Sequence, residues 1–296
     1  MIIQFLNGGL ANQVFQYIFA RYLELASGGE QKVFLDDSFF FVENVHNGYE
    51  LEKVFGIQAN LLSRQFDEDV WQELIKNKKN GISIPQSFLN MGVNIRMITE
   101  VENPFGFNPF RGRVEHLPSA NQFYPDIFME KGDIYYHGYW INKGWLAAYR
   151  DTLLKELRFP AIEDSVNLAY AEQIREKDSV AVHVRRGDYV TLHWAIDPDG
   201  YCQAAKMLLQ SMPDAVFFVF SDDIPWCRAN EAALGLNLAK EVVYVEGNVA
   251  GKNYIDLHLM TLCKGMLMSN SAFCYLAALM NGQLQYYANP VSFREI

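Results

Sequence analysis

The stretch Ser179-Val-Ala-Val-His-Val-Arg-Arg-Gly-Asp-Tyr189 restricts the fold more than any other part of the chain. Val180, Val182 and Val184 set an apolar alternation, and Ala181 is small enough to be covered on the opposite face, so 179–184 reads as a strand buried on both sides. It ends in a knot of charge and glycine: His183, Arg185, Arg186, Gly187 and Asp188. An apolar strand feeding a charged loop is how open α/β sheets present ligand-binding groups beyond their strand ends. Adjacent arginines suit an anionic ligand, because guanidinium binds phosphate bidentately and keeps its charge near neutral pH. A surface salt-bridge loop is the simpler use of such residues. Against it, His183 and Arg185 share one parity on a covered strand, where a charge needs a partner. Asp188 either holds an arginine or acts as a base.

The rest of the chain supplies the strands and helices that such a sheet needs. Residues 2–6 read as a strand, Asn7-Gly8-Gly9-Leu10-Ala11-Asn12-Gln13 as a turn, and Val14, Tyr17, Ile18, Arg21, Tyr22 and Leu25 as a helical period ended by Gly28-Gly29. Residues 33–35 form the next strand. Gly8 and Gly9 let backbone N–H groups approach a ligand at a helix N-terminus. The G-x-G-x-x-G dinucleotide pattern is absent, which weighs against a dehydrogenase. Residues 49–56 and 68–76 read as short helices. The stretch 85–126, with Pro85, Pro104, Pro109, Pro118 and Pro125, reads as loop, either binding surface or filler. A strand at 134–140 and a helix at 145–157 follow. Their aromatic residues Tyr135, Tyr136, Tyr139, Trp140 and Trp145 stack on a sugar or, more simply, pack a core. The second half alternates helices at 166–176, 201–212, 225–234, 253–262 and 272–280 with strands at 179–184, 215–220, 242–245, 265–268 and 284–287. That order suits parallel strands. The expectation is an α/β chain of two Rossmann-like domains, 1–160 and 161–296, facing across a cleft.

Two further loops follow apolar strands. Ser221-Asp222-Asp223 offers carboxylates for a ribose or nucleobase, or a helix cap; as a metal site it would need more ligands. Ser269-Asn270-Ser271 precedes a helix, where hydroxyls and N–H groups meet a phosphate or merely cap the helix. Cations, hydroxyls and carboxylates at one sheet edge fit a nucleoside diphosphate. Composition agrees: a formal charge of −10 argues against nucleic acid or an anionic membrane as the main partner, so a local basic loop reads as a small-anion site. No basic, apolar leader opens the chain, and no run of roughly 18 apolar residues occurs. Cys202, Cys227, Cys263 and Cys274 lack metal-like spacing and read as reduced thiols of a cytoplasmic protein. Walker A, zinc and nucleophile-elbow motifs are absent.

Gly8-Gly9-Leu10-Ala11-Asn12-Gln13, His183-Val-Arg185-Arg186-Gly187-Asp188-Tyr189 and Ser269-Asn270-Ser271-Ala-Phe273 resemble, in order, the three motifs of α-1,2-fucosyltransferases, and more distantly those of α-1,6- and protein O-fucosyltransferases. Gly138-Tyr139-Trp140 with Lys143 resembles a further segment of the bacterial members. The resemblance implies a GT-B fold, GDP-fucose held mainly by the C-terminal domain, and a β-galactoside-terminated glycan nearer the N-terminal one. It implies inverting transfer to the galactose 2-hydroxyl, without cofactor or required metal, by a cytoplasmic enzyme of surface polysaccharide or O-antigen synthesis. Peripheral contact with a membrane-linked acceptor fits that setting. Arg185, Arg186 and the Ser269–Asn270–Ser271 helix start would stabilise the departing GDP. His183 would bind phosphate or ribose, Asp222 ribose or guanine, and Asp188 would be base or brace. Asn12, beside Gly8 and Gly9, would orient donor or acceptor. Two departures stand out: Cys274-Tyr275-Leu276 where a tryptophan pair is usual, and Gly265 where histidine is common. A transferase of other linkage or other nucleotide sugar, a non-catalytic nucleotide-sugar binder, and a dinucleotide-dependent oxidoreductase are the alternatives.

Overall fold

A computed structural model describes residues 1–102 and 110–290; Pro104 and Pro109 of the proline-rich stretch lie outside the described residues. The chain divides into two compact units, Met1–Arg158 and Phe159–Ile296.

The first unit is built on five strands: β1 Ile2–Phe5, β2 Val33–Asp36, β3 Ile95–Thr99, β4 Val114–His116 and β5 Asp133–His137. They pair in parallel in the order β2-β1-β5-β3-β4. β1 is buried throughout, as its apolar run requires. The helix Leu10–Ala26 covers it with Leu10, Val14, Ile18, Phe19 and Leu23. On another side Ile3, Phe5, Met97 and Tyr135 pack with Trp71, Leu74 and Phe88. The loop expected over 85–126 is corrected here. Pro85 starts the helix Ile84–Asn90 behind a Ser83 cap, a position where its missing N–H costs nothing. β3 and β4 then complete the sheet. The helix expected at 145–157 is two, Lys143–Ala148 and Arg150–Glu156, broken at Tyr149. Of the five aromatic residues expected to stack on a sugar or pack a core, Tyr135, Tyr136, Trp140 and Trp145 are core, and Tyr139 reaches solvent, at 38% exposure.

The second unit carries β6 Ser179–Val184, β7 Val216–Ser221, β8 Glu241–Tyr244, β9 Gly265–Leu267 and β10 Tyr286–Ala288. These also pair in parallel, in the order β10-β9-β6-β7-β8. The chain steps outward from β6 to β8, then returns to the far side of β6 with β9. The topological switch therefore falls between β6 and β9, the place where open parallel sheets bind ligands. Val180, Val182, Val184, Phe217, Val219 and Leu267 share one core with Tyr201 and Leu208. Gly265 has no room for a side chain, because a Cβ would lie 2.9 Å from the Met212 sulfur and 3.0 Å from Val180 Cγ2. Tyr275 and Leu276 are buried in the helix Ala272–Met280, so that departure repacks a core face. All four cysteines are free thiols. No helix among the described residues is long and apolar enough to cross a membrane.

Candidate active site

The β6 strand delivers His183 and Arg185 to the switch, and β9 delivers Ser269. His183 Nδ1 lies 2.8 Å from Ser269 Oγ, which ties the two loops across the switch point. Burial, aided by the Arg185 charge, pushes the imidazole pKa down to about 3. His183 is thus a neutral hydrogen-bonding group and adds no positive charge.

Arg185 is the centre of the loop. Its Nη2 donates to Asp188 Oδ1 at 2.6 Å and its Nη1 pairs with Asp222 Oδ2 at 3.0 Å. The guanidinium still has N–H donors for a ligand, since it carries five. Asp222 Oδ1 also accepts from the Arg186 backbone N–H at 2.8 Å, so both its oxygens brace the β6 loop, and each keeps a further lone pair with which to accept from a ligand. Gly187 permits this approach: a Cβ there would lie 2.5 Å from Asp222 Oδ2. Arg186 turns aside, its guanidinium 3.6 Å above the Trp226 ring with Nε 3.3 Å from Asp223. Such a cation–π contact contributes about 1 kcal/mol. Asp223 caps the helix Ile224–Ala229 by accepting from the Trp226 N–H. Ser271 likewise caps Ala272–Met280 through the Phe273 N–H. Asn270 Nδ2 donates to the Trp194 carbonyl at 2.9 Å, while its buried Oδ1 has no partner among the described residues. The structure therefore gathers His183, Arg185, Asp188, Asp222, Ser269 and Ser271 around one switch, with Arg186 packed to its side.

Gly8, Gly9 and Asn12 belong to the first unit, at the carboxyl end of β1. Gly8 has φ +75°, and the Asn12 side chain folds over it, with Nδ2 2.5 Å from where a Cβ would be. Sequence reasoning missed the residues that fix this loop. Buried Gln13 donates to the carbonyls of Gly8 and Gly48, at 3.0 and 2.9 Å, and accepts from the Glu50 N–H. Buried Gln16 donates to Asn7 Oδ1 at 2.6 Å and to the Gly138 carbonyl at 3.2 Å, and accepts from the Asn7 N–H. Two glutamines three residues apart on the buried side of an otherwise apolar helix were the available sign, since buried amides need partners.

Two compact units, each built on a five-stranded parallel sheet, are an α/β architecture of GT-B type. The sequence pattern of glycosyl transferase family 11 matches residues 119–293, more than half of the chain, and the chain belongs to that family. It is 25% identical to an alpha-1,2-colitosyltransferase of Escherichia coli over 289 residues, 94% of this chain and 87% of that protein. It is 27% identical to the O-antigen biosynthesis glycosyltransferase WbnK of Escherichia coli over 301 residues, 93% of this chain and 89% of that one. A shorter stretch of 123 residues, 39% of this chain and 33% of the relative, is 34% identical to galactoside alpha-(1,2)-fucosyltransferase 2 of Oryctolagus cuniculus. Among solved structures, an Arabidopsis thaliana FUT1 variant in complex with GDP aligns at a TM-score of 0.51 and 12% identity. That alignment covers 96% of this chain and 69% of the other, a likeness of fold alone.

Proposed function

We propose that the chain transfers L-fucose from GDP-fucose, with inversion, to the 2-hydroxyl of a β-galactoside-terminated glycan in surface polysaccharide or O-antigen synthesis. The observation that carries this reading is the Arg185 guanidinium, fixed by Asp188 and Asp222 at the switch between β6 and β9. The 159–296 unit holds the donor diphosphate there. As the anomeric C–O bond breaks, its electron pair goes to the GDP phosphate oxygen, and Arg185 stabilises that charge from a position already set. The helix start at Ser269–Ser271 adds N–H groups. The acceptor 2-hydroxyl oxygen bonds to the anomeric carbon from the opposite face, and its proton passes to solvent water. Asp188, drawn onto Arg185, serves as a brace in this account. Asp188 as the base of the same step is the second role, and it stands or falls by the variant described in the Discussion. The names of the relatives support a 1,2-linkage and an O-antigen setting. One of them is a colitosyltransferase, which favours a second reading with the same chemistry and a different donor sugar. Steady-state turnover with fucosyl and colitosyl donors on one β-galactoside separates the two. A kcat/KM at least tenfold higher for GDP-fucose is expected, and the reverse order overturns the fucosyl assignment.

A further inference from the structure

The first unit has a switch point of its own. β2 lies on one side of β1, while β5, β3 and β4 lie on the other, so the crevice falls between β1 and β5 at their carboxyl ends. Asn7-Gly8-Gly9 follows β1 there, and Gly138-Tyr139-Trp140 follows β5. The second of these turns is held with unusual care. Glu100 Oε1 accepts the N–H groups of both Tyr139 and Trp140 at 2.8 Å, and its Oε2 accepts the Asn121 N–H at 2.8 Å. Trp140 sits at φ +55°, a left-handed conformation that a bulky residue adopts only when its surroundings impose it. Those surroundings are Phe19, stacked on it at 3.9 Å, and Gln4, whose Oε1 accepts the indole N–H at 2.8 Å. Gly138 is required, because a Cβ would lie 2.6 Å from Glu100 Cγ. Gln16 links the Gly138 carbonyl to the Asn7 side chain.

Gln4, Gln16, Phe19, Glu100 and Trp140 are buried, and what they present is Tyr139. The ring is exposed between buried Gly138 and Trp140, and its hydroxyl lies 3.5 Å from Asn7 Nδ2. The groups offered are a phenol, an amide and a glycine backbone, all uncharged, while the Glu100 carboxylate is already committed to three N–H groups. An aromatic face beside neutral hydrogen-bonding groups matches a sugar ring and its hydroxyls better than an anion.

Taking the chain as the transferase proposed above, we infer that Tyr139, with Asn7, contacts the acceptor galactoside, and that Glu100 is the positioning residue that aims it. The test uses steady-state kinetics on the full chain with GDP-fucose and lactose, together with acceptor-independent GDP release and GDP-induced thermal stabilisation. Tyr139→Ala is expected to raise the lactose KM by about tenfold or more, and Tyr139→Phe by a smaller factor. The GDP-fucose KM and acceptor-independent release stay within about twofold. Glu100→Ala is expected to reproduce the lactose defect, with no further loss when combined with Tyr139→Ala. Glu100→Gln, whose amide oxygen still accepts from residues 139 and 140, restores most of it. A wild-type enzyme that fucosylates lactose, with a Tyr139→Ala variant whose lactose KM is unchanged, overturns the inference and leaves the transferase reading intact. A loss confined to the GDP-fucose KM also overturns it. A wild type that neither binds GDP nor releases it from GDP-fucose overturns both.

Discussion

Arg185 has a carboxylate at each side of its guanidinium, and this arrangement makes its substitution informative. Arg185→Ala is expected to lower kcat/KM by about 100-fold or more and to weaken GDP binding in parallel, the scale seen when one charge-stabilising donor is removed. Near-normal kinetics would remove it from the site. Asp188→Asn separates brace from base. As a brace, its loss lowers GDP affinity and turnover together; retained GDP affinity with abolished turnover would assign it the proton. His183 gives a pH test. An unfolded imidazole takes up a proton below about 6.5, whereas the folded one resists until about 3. Its contribution to stability is therefore present above about pH 6.5 and lost as pH falls through that window, by about 1.4 kcal/mol per unit. His137, held down to about 4, acts in the same sense in the first unit. Asp256, raised to about 7 by burial, acts oppositely as pH rises. Urea unfolding at pH 7.5 and 5 should show a smaller loss for His183→Asn than for the wild type; equal losses would contradict a neutral buried His183. The charged residues of this loop were legible because a polar residue on a covered strand must have a purpose. What Asp222 and Arg186 do was hidden. Their partners, the Gly187 approach and the Trp226 ring, are set by tertiary structure.

At the level of elements, the second unit follows its sequence closely because its central strands β6 and β7 are buried, mainly apolar runs bounded by turn residues. Its β6–β7 loop contact depends on glycine. Gly187→Ala places a Cβ against Asp222 Oδ2, so either the Asp222 brace or the loop must move. The expected result is a GDP affinity reduced by about tenfold with a thermal midpoint lowered only slightly; unchanged affinity would mean that the brace is dispensable. The first unit was harder to read between residues 85 and 126. Pro85 looks like a breaker but starts a helix. Arg96 interrupts the apolar run of β3, and only the structure shows its guanidinium reaching Glu115 and Glu130 beside the sheet. β4 is a three-residue edge strand, too short to give a period. The turn after β5 escaped for a different reason: its left-handed Trp140 is held by Phe19 and Gln4, and its N–H by Glu100, all distant in the chain.

For the whole molecule, the acidic composition and the confinement of paired arginines to one loop agree with a small anionic donor. Alternating strands and helices sufficed to give two parallel α/β units, whereas the contacts that hold the Tyr139 turn are made by side chains that folding brings together. Holding the departing GDP by Arg185 and a helix start predicts activity undiminished by a chelator. A strict Mg²⁺ requirement would make Asp222 and Asp223 ligands instead. It also predicts that GDP, and not NAD or NADP, raises the melting temperature; the opposite result would favour an oxidoreductase. The most direct measurement incubates the purified chain with GDP-fucose and a panel of β-galactosides in EDTA, follows GDP release, and assigns the product linkage by NMR. A 2-linked fucosyl product is predicted. Another linkage would contradict the assigned hydroxyl, and neither product nor GDP-fucose binding would contradict the account at its centre.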